Sequence, residues 1–389
     1  MKKALSDSQK RRYARHIILP EVGVEGQKRL LASKVLCIGA GGLGSPVLMY
    51  LAAAGVGEIG IVEFDHVDET NLQRQIIHGN SYIGKPKGES AKARLKEINP
   101  ECRVKWYDTT INKTNVMDLV GAYDVIVDGT DNFPTRYLVN DACVLSGKPN
   151  IYGSIFRFEG QASIFAPMLG GPCYRCLFPE PPPPGAVPSC EEGGVLGVLP
   201  GIIGSIQANE TLKYLLNEGT LMLNKLLIFD AMRCDFRTIN IRRDPNCAIC
   251  GENPTQTDLV EYTGYCSLPH FSESPNEMDA EEGELSITVH EFKEIMDQND
   301  PSLVVLDVRE KQEYEICNIA GAHLIPLSNF RENSGHLKRD QTILVHCKSG
   351  KRSMEAVKQL RERGFRKSYS VEGGILAWAR EFDSSIVTY

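Results

Sequence analysis

Short apolar runs alternate with longer segments of helical spacing between residues 34 and 153, and this alternation constrains the fold more than any other feature of the sequence. The predicted strands and the helices between them cover, in chain order, residues 35–38, 42–54, 59–64, 90–98, 103–107, 124–128 and 135–146. Strands that alternate with helices form a parallel sheet covered by helices. The sequence therefore predicts an α/β fold for this part of the chain.

The pattern changes after Gly153. Two runs around Glu159–Gly160 predict an antiparallel hairpin, and residues 225–229 predict a late strand. Residues 252–284 hold nine acidic residues and no Lys or Arg, a composition typical of a linker, although a few apolar residues such as Leu259 are able to dock back. We therefore expect three parts, a first domain at 1–251, an acidic linker at 252–284 and a second α/β domain at 285–389.

Composition narrows the function classes. The 389 residues suit two or three domains, and a net charge of −7 with a pI near 5.7 argues against a direct nucleic-acid partner. The first residues lack a secretory pattern, and the longest apolar run is broken by Gly and Pro and is shorter than a membrane span. Twelve cysteines in such a chain favour metal-binding or catalytic thiols. We expect a cytoplasmic protein that does not cross a membrane.

A glycine motif, Gly39-x-Gly41-x-x-Gly44, follows the first predicted strand and opens a helix. In this context glycines let the backbone approach a phosphate group at the helix N-terminus. Glu63 lies 19 residues past Gly44, where an acidic residue is able to bind ribose hydroxyls. Two alternatives remain for the motif alone, a dinucleotide-binding oxidoreductase and an ordinary tight turn.

Charged residues after the next strands favour a nucleoside triphosphate. Arg74, Lys87 and Asp131 supply two cations and a carboxylate, which suit ATP with Mg²⁺ because charge must be neutralised when a phosphoryl or nucleotidyl group transfers. Each residue alone has a plain alternative, because Arg74 and Lys87 fit solvated surface charges and Asp131 fits a helix cap. The three together favour the catalytic interpretation.

Residues 6 to about 252 resemble the MoeB/ThiF family of ubiquitin-activating-like enzymes, which fold around a Rossmann-like sheet. The stretches that carry the resemblance are Arg12-Tyr-Ala-Arg15-His-Ile, Gly39-Ala-Gly-Gly-Leu-Gly44, Asn71-Leu72-Gln73-Arg74-Gln75, Lys85-Pro-Lys87, Asp128-Gly-Thr-Asp131-Asn132 and Pro172-Cys-Tyr-Arg-Cys176. The family adenylates the C-terminal glycine of a ubiquitin-like sulfur carrier. The resemblance implies that ATP and Mg²⁺ contact Gly39, Gly41, Gly42, Gly44, Glu63, the run 71–74, Lys87, Asp131 and Asn132. It also implies a homodimer in which Arg15 reaches the partner's nucleotide. Glu63 departs from the family, where Asp is common, so its carboxylate is shifted by one methylene.

Two C-x-x-C pairs, Cys173/Cys176 and Cys247/Cys250, are separated by 70 residues. Four thiolates close a tetrahedral Zn²⁺ site with no open position. One such pair alone would also fit a redox couple, but two pairs favour structural zinc. We expect the metal to tie the end of the first domain back to its middle.

Cys190 lies on a glycine-flanked loop after a proline run, a position suited to attack rather than packing. In the resembling family a cysteine here engages the activated carrier or its sulfur donor. The alternative is an incidental loop thiol, since Glu191 and Glu192 disfavour a thiolate.

Cys347 follows a predicted strand at 342–345 and opens the loop Cys347-Lys-Ser-Gly-Lys-Arg352, whose cations and backbone N–H groups favour an anion. With Asp307-Val-Arg309-Glu, Gly321-Ala-His323 and Glu372-Gly-Gly-x-x-x-Trp378, residues 285–389 resemble the rhodanese family. This resemblance implies sulfur carried as a persulfide on Cys347. A phosphatase loop is one residue longer, which argues against phosphatase activity.

The two halves together resemble the MoeZ/MoeBR type of adenylyltransferase–sulfurtransferase. The resemblance implies an enzyme that adenylates a MoaD- or ThiS-like carrier and then converts its C-terminus to a thiocarboxylate, with a cysteine desulfurase or thiosulfate as sulfur donor. Catalytic roles are expected for Cys190, Cys347, Asp131 and Arg74. The alternatives are a thiosulfate sulfurtransferase on a non-catalytic carrier-binding scaffold, a plain binding module and an oxidoreductase. Molybdopterin, thiamine, cysteine and tRNA-thiolation pathways all use such carriers.

Several further residues are predicted to be structural. Cys37, Cys143 and Cys234 are expected in packing positions, Trp378 in a core, and His346 as a hydrogen-bonding residue beside the Cys347 loop.

Overall fold

A computed structural model describes residues 4–182, 193–260, 285–298 and 300–388. They divide between two compact units, the first within Met1–Leu268 and the second within Pro269–Tyr389.

The first unit is built on one mixed sheet with the strand order β3-β2-β1-β4-β5-β6-β7-β8. Its strands are β1 (Lys34–Ile38), β2 (Glu58–Val62), β3 (Arg103–Tyr107), β4 (Val125–Asp128), β5 (Asn150–Phe156), β6 (Glu159–Phe165), β7 (Lys225–Asp230) and β8 (Asp235–Asn240). Its helices are α1 (Asp7–Arg12), α2 (Ala14–Ile17), α3 (Gly23–Ala32), α4 (Gly44–Ala54), α5 (Lys87–Ile98), α6 (Val116–Gly121), α7 (Phe133–Leu145), α8 (Tyr174–Leu177) and α9 (Leu199–Leu216).

Strands β1 to β5 pair in parallel, and β5 to β8 pair as antiparallel neighbours. Strands β1, β2 and β4 are nearly continuous apolar runs because helices cover both faces of this part of the sheet. The carboxyl ends of the parallel strands therefore meet at one edge, where the glycine motif and Asp131 lie.

The predicted α/β fold is confirmed in the first unit, with small shifts of boundary. Strand β2 ends at Val62 rather than Phe64. The hairpin turn lies at Arg157–Phe158 rather than Glu159–Gly160, because Arg157 adopts a left-handed conformation with φ of 51°. Strand β8 was missed because its side chains are exposed and show no apolar run.

The first residues after Gly251 pack on the first unit. Gln256 donates a 2.7 Å hydrogen bond to Asp141, and Leu259 is buried in the core formed by α6, α7 and β4. The predicted docking of Leu259 is confirmed, and most of the acidic segment, residues 261–284, lies outside the described ranges.

The second unit contains a five-stranded parallel sheet with the order β11-β10-β12-β13-β9. Its strands are β9 (Ser286–Ile287), β10 (Leu303–Asp307), β11 (His323–Leu324), β12 (Thr342–His346) and β13 (Ser368–Val371). Its helices are α10 (Val289–Asp297), α11 (Lys311–Ile316), α12 (Phe330–Asn333), α13 (Lys351–Glu362) and α14 (Gly374–Glu381).

Helix α10 illustrates how sequence sets an element in this unit. Thr288 and Glu291 form a reciprocal capping box that satisfies the first backbone N–H groups of the helix. Phe292 then packs edge-on against Trp378, with ring centroids 5.3 Å apart, in a core below β12. The prediction of Trp378 as a core residue is confirmed.

The cysteines expected in packing positions behave differently from one another. Cys37 and Cys143 are buried, as predicted. Cys234 is exposed in the β7–β8 turn with φ of 53°, so the packing prediction is wrong for it.

Candidate functional site

The loop between β1 and α4 is the centre of the first candidate site. Gly39 has φ of +94°, a conformation that side chains rarely adopt. A Cβ atom on Gly44 would lie 2.2 Å from the carbonyl oxygen of Gly39, so the loop folds back too tightly for any other residue. The loop, residues 39–44, places backbone N–H groups at the start of α4, the usual setting for a bound phosphate. It is named the phosphate loop for this reason.

Ala40, inside this loop, is fixed from two sides. Its N–H donates to Glu63 Oε2 at 2.9 Å, and its carbonyl oxygen lies 3.0 Å from His78 Nε2. The other ring nitrogen of His78 lies 3.0 Å from the Ser90 hydroxyl on α5, the helix that begins with Lys87. Burial lowers the pKa of His78 to about 4, so the ring is neutral. One buried histidine thus connects the phosphate loop to the helix of Lys87, and sequence analysis missed it.

Glu63 makes contacts that the predicted ribose role does not require. Besides Ala40, its carboxylate accepts the N–H groups of Phe64 at 2.9 Å and Asp65 at 3.0 Å. The side chain is 8% exposed. The longer acid therefore stabilises the phosphate loop directly, and a ribose contact would use the remaining lone pairs of the same oxygens.

Lys87 is paired with Asp65, another residue that sequence analysis missed. Lys87 Nζ lies 2.5 Å from Asp65 Oδ2; the lysine side chain is 7% exposed and the aspartate side chain 58%. Asp65 lies two residues past Glu63, just after β2, but this position alone does not show that it faces Lys87. The pair holds a buried ammonium group at the start of α5, and its counter-ion is open to solvent.

The run 71–74 approaches the loop through the Arg74 side chain. Arg74 Cγ is 3.9 Å from where a Cβ on Gly42 would lie, and its guanidinium donates to Thr70 O at 3.0 Å. Asn71 accepts the N–H of Asp68 at 3.2 Å. Leu72 is half-buried, and Gln73 is exposed with its backbone against Gly197.

Asp131 and Asn132 follow β4 at the adjacent strand end. Asp131 is exposed, and Asn132 caps α7 by accepting the N–H of Thr135 at 3.0 Å. Two hydrogen bonds stabilise the turn that carries them. Buried Arg136 donates to Thr130 O at 2.8 Å, and the Thr130 hydroxyl donates to buried Asp128 at 2.6 Å. Gly129 in this turn contacts Gly39, with 3.2 Å between the Gly129 oxygen and a Cβ on Gly39. The structure therefore brings the Asp131 turn to the phosphate loop.

Two predicted residues are not part of this cluster. Arg15 is exposed on α2, and no described contact joins it to the phosphate loop. Cys190 lies outside the described residues, which stop at 182 and resume at 193.

The four cysteines of the two C-x-x-C pairs meet in one cluster. Their sulfur atoms all lie within 4.8 Å of one another, with separations of 3.9 Å for Cys173–Cys176, 3.6 Å for Cys173–Cys247 and 3.4 Å for Cys176–Cys250. Tetrahedral Zn²⁺ with bonds of about 2.3 Å separates its sulfurs by about 3.8 Å, so the cluster fits zinc.

A buried ion pair supports this cluster. Arg175, between two of the cysteines, makes two 2.8 Å hydrogen bonds to Asp141 on α7. Arg175 also donates to Pro179 O at 3.1 Å and lies 4.8 Å from the centroid of the Tyr137 ring. Helix α7, which begins just after Asp131, is thereby tied to the cysteine cluster.

The second candidate site lies in the second unit, at the end of β12. Cys347 is 1% exposed and starts the loop that leads into α13. Its sulfur accepts the N–H of Gly350 at 3.1 Å and faces the Ser353 hydroxyl at 3.6 Å. The loop supplies a backbone donor and the first turn of α13 a hydroxyl, so the two together are suited to hold a sulfur anion.

Arg352, at the end of this loop, pairs with Glu313 on α11. The two hydrogen bonds are 2.6 and 2.7 Å long. The sequence predicted cations in the Cys347 loop, and one of them, Arg352, is neutralised by a carboxylate from another helix. Glu313 is visible in the sequence as an acidic residue, but sequence spacing does not show which helix faces the loop.

His346 lies next to Cys347 and is fully buried. Neither ring nitrogen has a hydrogen-bond partner among the described residues, and Nε2 is 3.8 Å from Asp307. The predicted hydrogen-bonding role is therefore wrong, because Asp307 is already bound by buried Arg309 at 2.6 Å. Burial lowers the pKa of His346 to about 4.

None of the described helices is both long and apolar enough to cross a bilayer.

Profiles of two known families match the chain. The ThiF family matches residues 13–249, and the rhodanese-like domain matches residues 288–381. The first match covers the phosphate loop and three of the four cluster cysteines, all but Cys250, and the second covers the Cys347 loop.

Curated relatives match over nearly the whole length. The probable adenylyltransferase/sulfurtransferase MoeZ of Mycobacterium tuberculosis (strain ATCC 25618 / H37Rv) is 47% identical over 391 residues, 99% of this chain and 97% of the relative. The adenylyltransferase and sulfurtransferase MOCS3 of Bos taurus is 42% identical over 409 residues, 99% of this chain and 89% of the relative.

Solved structures resemble part of the chain. The structure of E. coli MccB with ATP has a TM-score of 0.54 and 24% identity and covers 63% of this chain and 75% of its own. The structure of E. coli MccB with MccA-N7isoASN has a TM-score of 0.55 and 24% identity and covers 63% and 76%. At this identity the likeness shows the fold alone.

Proposed function

We propose a function from the premise that the chain belongs to the ThiF family and ends in a rhodanese-like domain. It is an enzyme, an adenylyltransferase and sulfurtransferase, as its relatives of 42–47% identity are named. Its proposed substrate is a ubiquitin-like sulfur carrier of the MoaD or ThiS type. The observation that carries the proposal is the joint presence of a complete phosphate-loop cluster and a cysteine held in a loop of anion-stabilising donors.

The first reaction activates the carrier. Its C-terminal glycine carboxylate attacks the α-phosphorus of ATP, and pyrophosphate leaves. Residues 39–44 hold the phosphates, Glu63 holds the ribose and the loop, and Arg74 and Lys87 neutralise the charge that develops. Lys87 is suited to this role because its side chain is buried while the carboxylate of Asp65, its counter-ion, is largely exposed. Asp131 and Asn132 would hold Mg²⁺, which neutralises phosphate charge when bound.

The second reaction delivers sulfur. The Cys347 thiolate attacks the sulfane sulfur of a donor, either thiosulfate, with sulfite leaving, or the persulfide of a cysteine desulfurase. The resulting Cys347 persulfide attacks the carrier acyl-adenylate and releases AMP, which leaves an acyl-disulfide. The thiolate of Cys190 attacks Cys347 Sγ, expels the carrier thiocarboxylate and forms a disulfide that an external thiol reduces.

Two further features belong to the proposal. The chain acts as a homodimer in which exposed Arg15 reaches the nucleotide of the partner. Zn²⁺ on Cys173, Cys176, Cys247 and Cys250 is structural, because four thiolates leave no open coordination position. The free thiols of the described residues suit a reducing compartment, the cytoplasm.

ATP–pyrophosphate exchange with a panel of Gly-Gly-ending carriers tests the adenylation step. We expect exchange with one carrier, its loss in Asp131→Ala and its retention in Cys347→Ala. Asp118→Ala, which removes an exposed aspartate on α6, is the matched control for Asp131→Ala. Cys234→Ala is the control for Cys347→Ala, because Cys234 is an exposed cysteine in the β7–β8 turn and belongs to neither candidate site.

The outcomes separate the candidate functions. Exchange that survives Asp131→Ala would remove Asp131 from the site. No exchange with any carrier, together with sulfur transfer from thiosulfate, would replace the proposal with a sulfurtransferase on a carrier-binding scaffold.

A further inference from the structure

Two buried serines stand behind the sulfur of Cys347. Ser353, in the first turn of α13, is fully buried, and Ser370, on β13, is 2% exposed. Their hydroxyl oxygens lie 2.8 Å apart, and Ser353 Oγ lies 3.6 Å from Cys347 Sγ. Neither residue belongs to the loop motif on which sequence analysis rested.

The hydrogen atoms available to this group decide what it does. Ser353 has one hydroxyl hydrogen and three acceptors within reach, Gly350 O at 2.9 Å, Ser370 Oγ and Cys347 Sγ. Ser370 is also able to donate to Gly350 O, at 3.4 Å. When Ser370 donates to Gly350 O or to Ser353, the Ser353 hydrogen is free for the sulfur.

We propose that Ser353 is a catalytic hydrogen-bond donor to the Cys347 sulfur and that Ser370 is the positioning residue that directs the Ser353 hydroxyl toward it. This inference rests on the proposed sulfurtransferase function. It names the side chain that stabilises the Cys347 sulfur while that sulfur carries negative charge. The Gly350 N–H is the second donor, at 3.1 Å. Arg352 does not take this role because its guanidinium is bound by Glu313.

The donor acts whenever Sγ carries negative charge. In loading, the Cys347 thiolate attacks the sulfane sulfur of thiosulfate, the S–S bond of the donor breaks and sulfite leaves with the electron pair. In discharge to cyanide, cyanide attacks the outer sulfur, thiocyanate forms and the electron pair of the broken S–S bond returns to Sγ. Between these steps Sγ is bonded to sulfur and is a weaker acceptor, so the Ser353 hydrogen turns to Gly350 O. The serine pair thus changes partner with each half-reaction.

Thiosulfate:cyanide sulfur transfer and peptide-resolved alkylation test the proposal on the full-length enzyme. A hydrogen bond to a charged group predicts a loss of about 10- to 100-fold in kcat/KM for Ser353→Ala. Mass spectrometry measures how carbamidomethylation of Cys347 by iodoacetamide depends on pH. In Ser353→Ala this profile should shift to higher pH by roughly one to two units, because a tenfold effect corresponds to one pH unit. Ser370→Ala should lose less, about two- to fivefold, since the Ser353 hydroxyl remains.

Ser368→Ala is the matched control. Ser368 is a fully buried serine on β13, two residues from Ser370, and it donates to Phe365 O rather than toward the sulfur. We expect Ser368→Ala to keep the wild-type alkylation profile, and Ser353→Thr, which restores a hydroxyl, to recover part of the rate. Circular dichroism establishes that each variant is folded.

Three results are informative. A Ser353→Ala profile that coincides with that of the wild type would overturn the inference while leaving sulfur transfer intact. An equal shift in Ser368→Ala would assign the effect to general packing and would also overturn it. A wild type that takes no sulfur from any donor but alkylates as predicted would refute the sulfurtransferase proposal and not the role of Ser353.

Discussion

Replacing Asp141 with Asn should destabilise the first domain strongly. The side chains of Asp141 and Arg175 are 0% and 7% exposed, and the two share two hydrogen bonds of 2.8 Å. Asp141→Asn keeps the shape of the side chain but removes the negative charge that faces the buried guanidinium of Arg175. Removing one partner of a buried pair typically costs 3–5 kcal/mol. Because Arg175 keeps its bond to Pro179 O and its contact with the Tyr137 ring, we expect about 3 kcal/mol.

The chain offers a direct assay, because it has two tryptophans, Trp106 in the first unit and Trp378 in the second. In a Trp378→Phe background, fluorescence during urea unfolding follows the first domain alone. The free energy of unfolding from this signal should fall by the predicted amount in Asp141→Asn and stay unchanged in Asp118→Asn. The double variant Asp141→Asn/Arg175→Met should regain most of the loss, because it removes the buried positive charge as well as the negative one.

A loss below about 0.5 kcal/mol, the range of ordinary surface substitutions, would refute this reasoning. It would mean that the ion pair is not formed or that water compensates the arginine. An Asp141→Asn loss that the Arg175→Met change does not restore would show that the carboxylate acts through another contact, such as its 2.7 Å bond from Gln256.

Three further predictions follow from buried polar groups. The pKa of His346 is lowered to about 4, below the value of 6.5 that an unperturbed histidine has, so the unfolded chain binds a proton first as pH falls. The second domain should therefore lose stability as pH falls from 6.5 to 4, by about 2 kcal/mol at pH 5. Trp378 fluorescence in a Trp106→Phe background follows this loss. A His346→Gln variant with an equally steep pH dependence would contradict the prediction. His78→Ala should weaken ATP binding about tenfold in isothermal titration calorimetry, since a buried hydrogen bond to the phosphate loop is lost, while Cys347 alkylation stays unchanged; unchanged ATP affinity would argue against the bracing of Ala40. The purified protein should hold one zinc per chain in plasma mass spectrometry, and Cys250→Ser should lose most of it; full zinc content in that variant would exclude the four-cysteine site.

The fold of both domains was largely predictable because it rests on periodicity. Strands buried on both faces, such as β1 and β12, are continuous apolar runs, and the glycine motif marks a loop that only glycine fits. Strand β8 was not predictable in the same way, since all six of its residues are exposed and carry no apolar alternation. Its place is set by pairing with β7, a tertiary contact.

The candidate sites were predictable where a motif is contiguous and not where partners come from distant elements. The cysteine cluster follows from two spaced pairs, and residues 39–44 from one loop. Asp65, His78 and Glu313 were missed because nothing in local spacing shows that a side chain will face Lys87, Ala40 or Arg352. The same limit explains Ser353 and Ser370, which lie on α13 and β13 and meet only in the folded domain.

Formation of a carrier thiocarboxylate tests the proposed function most directly. The purified enzyme, ATP, Mg²⁺, thiosulfate, a reducing thiol and the carrier selected by pyrophosphate exchange would be incubated together, and the intact mass of the carrier would be recorded. We predict replacement of one carrier oxygen by sulfur, dependent on ATP and abolished separately by Asp131→Ala and Cys347→Ala. Adenylated carrier that never gains sulfur, although Cys347 is loaded as a persulfide, would contradict the coupling of the two domains in one reaction.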